Sequence, residues 1–409
     1  MSCEPHELEP FKLERFFAKW EFVAPHQLCC SDSEPLTMAE LLSFADADAQ
    51  QRWDGLRLAY TETQGLPELR EAIAAAHFTS VAAEQLVVGA PQELLYLCMQ
   101  ALLRPSDHVV CCYPGYQSLY SVAHSIGCEV EMWHVDRTAD GTPVFDLHTA
   151  EQFIRPTTRL VVVNSPHNPT GAHFTGEQWL QLCRLCRAND AYLFSDEMYR
   201  HLELEAAERL PAATDMLEQT GISLSGMSKA VGCPGLRIGW MAIKDRPLLE
   251  RVLELKDFTT ICSSAPSEML ALIGLRSWDA ILERQLAIIR ANLEALDAFF
   301  ARWRQIFEWQ RPCVGTVAFP RLLTGESVAV WCEELVQQAG VLLMPATVYD
   351  HPQSTAEARF RLGFGRRNLP TCLQHLDAWL AARYGPIRVA QPAVENTQQW
   401  RAAKQVAKC

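Results

Sequence analysis

Short apolar runs that end in polar residues organise the middle of the chain. Leu160 to Val163 is unbroken hydrophobic sequence followed by Asn164-Ser-Pro-His-Asn168-Pro-Thr-Gly171, and Tyr192-Leu-Phe-Ser runs into Asp196-Glu-Met-Tyr199. Runs of this length without polar alternation predict strands buried on both faces of a parallel sheet. Their polar residues emerge at the carboxyl ends, where open α/β sheets build their sites. Ahead of them the pattern predicts a helix over about Leu66 to His77, and strands then alternate with helices to about Trp278. A long helix, roughly Ala280 to Trp303, leads into a smaller unit whose strands include Gly315 to Pro320 and Arg359 to Phe364. The expected fold class is α/β in two unequal lobes, without internal repeats. The polar tail after Pro386 reads as either disordered or an amphipathic helix.

Composition narrows the class. A chain of 409 residues exceeds one typical domain. Its net charge of −13 argues against nucleic acid or an anionic membrane as partner. No apolar run approaches the roughly 20 residues that span a bilayer. The acidic start Met1-Ser-Cys-Glu-Pro-His-Glu lacks the basic region of a signal peptide, so the expected location is the cytoplasm. Fifteen cysteines are many, yet Cys98, Cys111, Cys112 and Cys128 sit in apolar segments and read as reduced core residues. Cys183 and Cys186 have metal-like spacing but lie in a helical run with no second pair nearby, whereas structural zinc takes four ligands, so no metal is expected.

The chemistry concentrates in Ser223-Leu-Ser-Gly-Met-Ser-Lys229-Ala-Val-Gly-Cys-Pro-Gly-Leu-Arg237-Ile-Gly-Trp240. A lysine among small residues can condense with an aldehyde, and an arginine eight residues later can hold a phosphate. That combination points to pyridoxal 5'-phosphate. Singly, each companion has an ordinary reading: Asp196 as a helix cap, Tyr116 as core, Arg361 as a surface ion-pair member.

In order along the chain, however, these motifs resemble the fold type I, class I/II aminotransferase-type pyridoxal-phosphate enzymes. The resemblance rests on Tyr60 in Tyr-Thr-Glu-Thr-Gln-Gly, Tyr116 in Tyr-Pro-Gly-Tyr, Asn168 in Asn-Pro-Thr-Gly, Asp196 and Tyr199 in Asp-x-x-Tyr, Lys229, Arg237 and Arg361, and spans about residues 50 to 385. It implies a large cofactor-binding domain (50–290) around a mostly parallel, seven-stranded type of sheet, and a smaller α+β domain (291–385). Residues 1–49 would form an N-terminal arm and part of the small domain, and 386–409 the tail. By the same resemblance, Asp196 would keep the pyridine nitrogen protonated. Asn168 and Tyr199 would hydrogen-bond the phenolic oxygen. Tyr116 would stack on the ring, worth about 0.5 to 1.5 kcal/mol beyond area burial. Arg237 with Ser225 or Ser228, and the loop residues Ala90 and Gln92, would hold the phosphate, and Tyr60 would reach across from a second subunit of a homodimer. Arg361, beside Asn168, suits the α-carboxylate of an amino-acid substrate.

Two departures weaken the expected phosphate grip. Pro91 has no N–H to give, and Gly226 stands where the family usually carries a hydroxyl residue. A third departure is informative. Leu13-Glu-Arg-Phe-Phe-Ala-Lys-Trp-Glu-Phe and Ser31-Asp32-Ser33-Glu34, with Gly315-Thr-Val-Ala-Phe-Pro-Arg321, resemble the cyclases that form capreomycidine or, more closely, enduracididine from hydroxylated arginine. A guanidinium must then be bound. Glu9, Asp32 and Glu34 are the expected acceptors, with a solvated acidic arm or a helix cap as the equal alternative for each. The implied reaction removes the α- and β-protons of γ-hydroxyarginine, expels water and closes a five-membered ring at Cγ. A β-hydroxyl would instead give the six-membered capreomycidine ring. An ordinary amino-acid aminotransferase using a 2-oxo acid is the first alternative, and a non-catalytic regulator the least supported.

Overall fold

The computed structural model describes residues 7–385, so the polar tail lies outside the described residues. Eight strands form the main sheet: β1 (Leu86–Gly89), β2 (His108–Tyr113), β3 (Glu129–Arg137), β4 (Pro143–Phe145), β5 (Thr158–Asn164), β6 (Tyr192–Asp196), β7 (Gly221–Gly226) and β8 (Gly239–Ile243). Their spatial order is β1-β8-β7-β6-β5-β2-β3-β4. Strands β7, β6, β5, β2 and β3 run parallel; β8 is antiparallel to both β7 and β1. The sheet has one strand more than expected because the short β4 folds back antiparallel on β3 at the edge.

The apolar runs work as anticipated. All of β2 and β8 is buried, and β5 exposes only Arg159. Within β5, Leu160 and Val162 enter the hydrophobic cluster on one face, and Val161 and Val163 the cluster on the other. Alternation across a strand makes each face of the sheet a binding surface for helices. Each such buried side chain contributes about 1.5 to 3 kcal/mol relative to exposure. The helix Gly176–Ala188 presents Trp179, Leu182, Cys183 and Cys186 to one face. Cys98 and Cys111 pack on the other. These cysteines are unpaired and serve as small apolar core residues.

Helices Pro67–His77 and Trp278–Arg302 stand within a residue or two of their expected ends. The second projects Ile289, Leu293, Leu296 and Phe300 into a separate cluster built on Trp303, Trp331 and Phe360. Its strands are short. Val317–Ala318 and Met344–Pro345 flank Phe360–Gly363, both antiparallel to it. The N-terminal arm joins this body. His26–Gln27 pairs in parallel with Val341–Leu342, and helix α1 (Lys12–Trp20) buries Leu13 in a cluster with Phe319, Met344 and Tyr349. Among the described residues no helix is long and apolar enough to cross a membrane, and no group of acidic, histidine and cysteine side chains is arranged to hold a metal.

Candidate active site

Strand register builds the floor of the site. Asn164 pairs with Asp196, and Asp196 with Leu224, so the last residues of β5 and β6 and the end of β7 lie side by side at the carboxyl edge. Asn164 locks the row: its side-chain N–H donates to the Asp196 carbonyl at 2.9 Å, and its Oδ1 accepts from the Asn168 N–H at 2.7 Å. The Asn-Pro-Thr-Gly turn is thereby held over the strand ends.

Asp196 is buried and lines the cleft, accepting from the Met198 N–H at 3.1 Å. Burial pushes its carboxyl up to about 7, partly opposed by the Lys229 charge. A buried carboxylate of this kind calls for a cationic or proton-donating partner, which a protonated pyridine nitrogen supplies. Lys229 follows β7, and its Nζ donates to Ser31 Oγ at 2.9 Å, 5.7 Å from the centroid of the Tyr199 ring. Burial lowers its amine below the ordinary lysine value, with Asp32 pulling the other way. That favours the neutral, nucleophilic form. Burial raises the Tyr199 phenol to about 12, with the Arg361 charge pulling the other way.

Arg361 is buried to 1 % exposure. Its Nε donates to the Cys29 carbonyl at 3.1 Å, and Nη1 to the Tyr349 hydroxyl at 2.9 Å and to Asn168 Oδ1 at 3.3 Å. Its Nη2 is buried with no hydrogen-bond partner. An uncompensated cation with an orphaned donor at the cleft wall is a receptor for a carboxylate.

The phosphate end explains both departures at once. Gly89, Gly239 and Gly226 stand opposite one another across β1, β8 and β7. Pro91, the first residue of helix α2 (Pro91–Leu102), rests on this row. A Cβ at Gly226 would come within 3.2 Å of Pro91 Cγ and 3.0 Å of Gly239 Cα, and one at Gly239 within 2.6 Å of Pro91 Cγ. The proline ring therefore occupies space that a side chain at 226 would need. At the first helical position the missing N–H has no intrahelical acceptor to lose. The amides that follow Pro91 remain at the helix end, where anions bind. Gln92, Ser228 and Arg237 line the cleft there. Gln92 Oε1 accepts from Ser118 Oγ at 3.2 Å, and Arg237 donates to the Pro234 carbonyl at 3.1 Å.

Several expected site residues are elsewhere. Ser225 lies within β7, where alternation turns it from the cleft to donate to the Glu197 carbonyl at 3.3 Å; Ser228, just past the strand, takes the cleft position. Ala90 caps α2 without a side-chain bond. Tyr60 is 87 % exposed and away from the cleft of its own chain. The three expected guanidinium acceptors are also corrected. Glu9 is exposed outside the cleft. Asp32 is already bound by a guanidinium of the same chain, with Arg366 donating Nε to Oδ1 at 2.9 Å and Nη2 to Oδ2 at 2.8 Å. Glu34 accepts the Arg367 N–H at 2.7 Å.

The arm instead contributes Glu14 and Ser31. Leu13, Glu14 and Phe17 share one face of α1 and enter the cleft together. Tyr116, whose ring centroid is 5.0 Å from that of Phe11, donates its hydroxyl to Glu14 Oε1 at 3.3 Å. The helical spacing of positions 13, 14 and 17 was the signal that could have located Glu14. Nothing local marks Ser31, which meets Lys229 across 198 positions of sequence. Together, a buried acid, a lysine beside it, a tyrosine, a helix end with an arginine and a second arginine with an open donor fit pyridoxal phosphate carrying an amino acid.

Comparison with known proteins agrees. Capreomycidine synthase of Streptomyces vinaceus is 28 % identical over 365 residues, 89 % of this chain and 91 % of its own. Among solved structures, the pyridoxal-phosphate-dependent cyclase OrfR superposes with a TM-score of 0.82 at 26 % identity, covering 94 % of this chain and 100 % of that one. A pyridoxal-phosphate-dependent aminotransferase from Streptococcus suis gives 0.83 at 28 % identity, covering 92 % and 99 %. The family model for aminotransferase class I and II matches residues 32–371, and the chain belongs to that family of pyridoxal-phosphate enzymes.

Proposed function

We propose that this enzyme is a cyclodehydratase that converts a hydroxylated L-arginine, γ-hydroxyarginine first, into the cyclic guanidine amino acid L-enduracididine. The observation that carries the reading is Glu14. Of the carboxylates lining the cleft, Asp196 serves the ring nitrogen, which leaves Glu14, on the arm, for a substrate cation. Arg361 takes the α-carboxylate, so the two ends of an arginine-like molecule find opposite charges. Likeness to capreomycidine synthase and to the cyclase OrfR supports ring closure over other reactions of the fold.

When bound, pyridoxal phosphate supplies an electron sink conjugated to the substrate α-carbon. The chain's residues do the rest. Lys229 removes the α-proton, delivers it to the conjugated system and, neutral again, removes a β-proton; after ring closure protons return to both carbons, one of them balanced by the N–H proton that the attacking guanidine gives up. Asp196, Asn168 and Tyr199 orient the cofactor, with Gln92, Ser228 and Arg237 at its phosphate. Glu14 and Tyr116 keep the guanidine near the carbon that loses water, which makes the attack intramolecular, and α1 with Leu13 and Phe17 keeps solvent from competing. A β-hydroxyl would yield the six-membered capreomycidine-type ring in the same cleft. Transamination is the second reading, favoured by the likeness to the Streptococcus suis aminotransferase. Tyr60 (87 % exposed) and the apolar Leu58 (85 %) and Phe258 (90 %) support a homodimer in which these surfaces are covered and Tyr60 meets the partner's site.

Mass spectrometry of products from γ-hydroxyarginine, β-hydroxyarginine and arginine, each with and without a 2-oxo acid, tests the reaction. Loss of one water without acceptor is expected from a hydroxyarginine. A 2-oxo product formed only with acceptor would establish transamination instead.

A further inference from the structure

Expelling a hydroxide from carbon near neutral pH needs a proton donor, and none of the motif residues is placed for that task. On the cyclodehydratase reading Asp196 and Tyr199 are committed to the cofactor ring, Ser228 sits with Arg237 at the phosphate end, and Glu14 is taken by the guanidinium, with the Tyr116 hydroxyl donating to it at 3.3 Å. Ser31 remains. It lines the cleft, and its Oγ receives the Lys229 Nζ bond at 2.9 Å. Its backbone is pinned, since Thr316 Oγ1 donates to the Ser31 carbonyl at 2.7 Å. The next residue anchors the segment through the paired hydrogen bonds of Asp32 and Arg366. A hydroxyl can accept one proton and give another in the same step.

We propose that Ser31 relays the proton from Lys229 to the hydroxyl that leaves the substrate. Resting on the cyclodehydratase reading, the step balances without any added reagent. Lys229, protonated by its removal of a substrate C–H proton, donates to Ser31 Oγ as Ser31 gives its own proton to the leaving oxygen. The electron pair left by the lost β-proton forms the Cβ–Cγ double bond, the C–O pair departs with oxygen, and water is released. Lys229 returns to the neutral amine. Ser31 thus separates two functions of one lysine, taking protons from carbon and delivering one to oxygen.

The test compares wild type, Ser31→Ala and Ser31→Thr in deuterated water, following by NMR both exchange of the α- and β-protons of γ-hydroxyarginine and appearance of the cyclic product. Ser31→Ala is expected to keep exchange within about threefold while water loss falls about 10²-fold or more, the usual share of a general acid. Ser31→Thr, which keeps a hydroxyl, is expected to recover most of the loss. Absorbance titration of the cofactor-free proteins with pyridoxal phosphate should give the same affinity for all three. Equal water loss by Ser31→Ala, or a matching fall in exchange or cofactor affinity, would overturn the relay. Wild type that exchanges the α-proton but releases no water would overturn the cyclodehydratase reading itself, and the relay with it.

Discussion

Asp196 and Ser31 both act on Lys229, and they are held there in different ways. Asp196 ends a central strand: its neighbours on both sides are hydrogen-bonded strands, and Asn164 bonds its carbonyl. Ser31 belongs to an arm held by side-chain bonds, one two-residue strand pairing and backbone bonds such as Gly363 N–H to the Leu28 carbonyl at 2.9 Å and Leu36 N–H to the Gly232 carbonyl at 3.0 Å. The helix preceding it packs Leu13, Phe16, Phe17 and Trp20 in the cluster around Phe319 and Tyr349 and adds polar bonds to both bodies of the molecule. Lys12 donates from its backbone N–H to Gln117 at 2.8 Å and pairs with Asp350 at 2.6 Å, the latter partners largely exposed. Exposed pairs of this kind contribute about 0 to 1 kcal/mol. The sheet edge thus carries the cofactor chemistry common to the family, where misplacement would be costly. On the proposed reading, substrate selection belongs to the arm, which brings Glu14 and Ser31 to the cleft from outside the sheet.

Removing Lys229 breaks the comparison at its centre. Lys229→Ala should lower turnover by at least about 10⁴-fold, with the circular dichroism spectrum unchanged; cyclisation at wild-type rates by this variant would discard the mechanism. Loss of an arm anchor should be milder. Asp32→Ala leaves Arg366 without its carboxylate, and because that pair is only partly buried the expected cost is about 2 kcal/mol, below the 3 to 5 of a fully buried pair. Urea unfolding would measure it, and an unchanged midpoint would mean that the pair does not hold the arm.

The glycine row offers a finer probe on the sheet side. Gly226→Ser restores the hydroxyl usual in the family but drives Cβ toward Pro91 and Gly239, so it should cost about 1 to 3 kcal/mol and weaken cofactor binding. Pro91→Ala in the same chain should relieve part of that cost, and strictly additive effects would show that the two departures are unrelated. The remaining test is on pH. The carboxyl of Asp196 is raised from 3.8 to about 7 by burial. Between those values the folded cofactor-free protein binds more protons than the unfolded chain. This group therefore makes stability fall as pH rises from about 4 to 7. Asp196→Asn should flatten that slope in the cofactor-free protein, measured by urea unfolding across this range.

How much could be read from the chain differs between the two regions for the same physical reason. Asp196 ends a buried strand and Asn168 and Lys229 lie within one turn of the ends of two others, so unbroken apolar runs announce them and the strand ends bring them together. Ser225 was misjudged within that region because one step along a strand reverses the face. The arm acids were misjudged because a carboxylate signals only its charge. Whether it meets a substrate or an arginine of its own chain depends on packing, and Asp32 meets Arg366 from 334 positions away. Glu14 was legible through helical spacing, whereas Ser31 owes its place to contacts with residues 229 and 316, which no local pattern encodes.

The most direct test of the division between sheet and arm is a specificity measurement. The kcat/KM values for γ-hydroxyarginine and for γ-hydroxycitrulline, which replaces the guanidinium with a neutral urea of similar shape, would be compared in wild type and Glu14→Gln. A charged hydrogen bond of about 1.5 to 3 kcal/mol corresponds to a wild-type preference of roughly 10- to 150-fold for the arginine form. Glu14→Gln should erase that preference while leaving cofactor affinity unchanged. An equal preference in both proteins would contradict the assignment of guanidinium recognition to the arm.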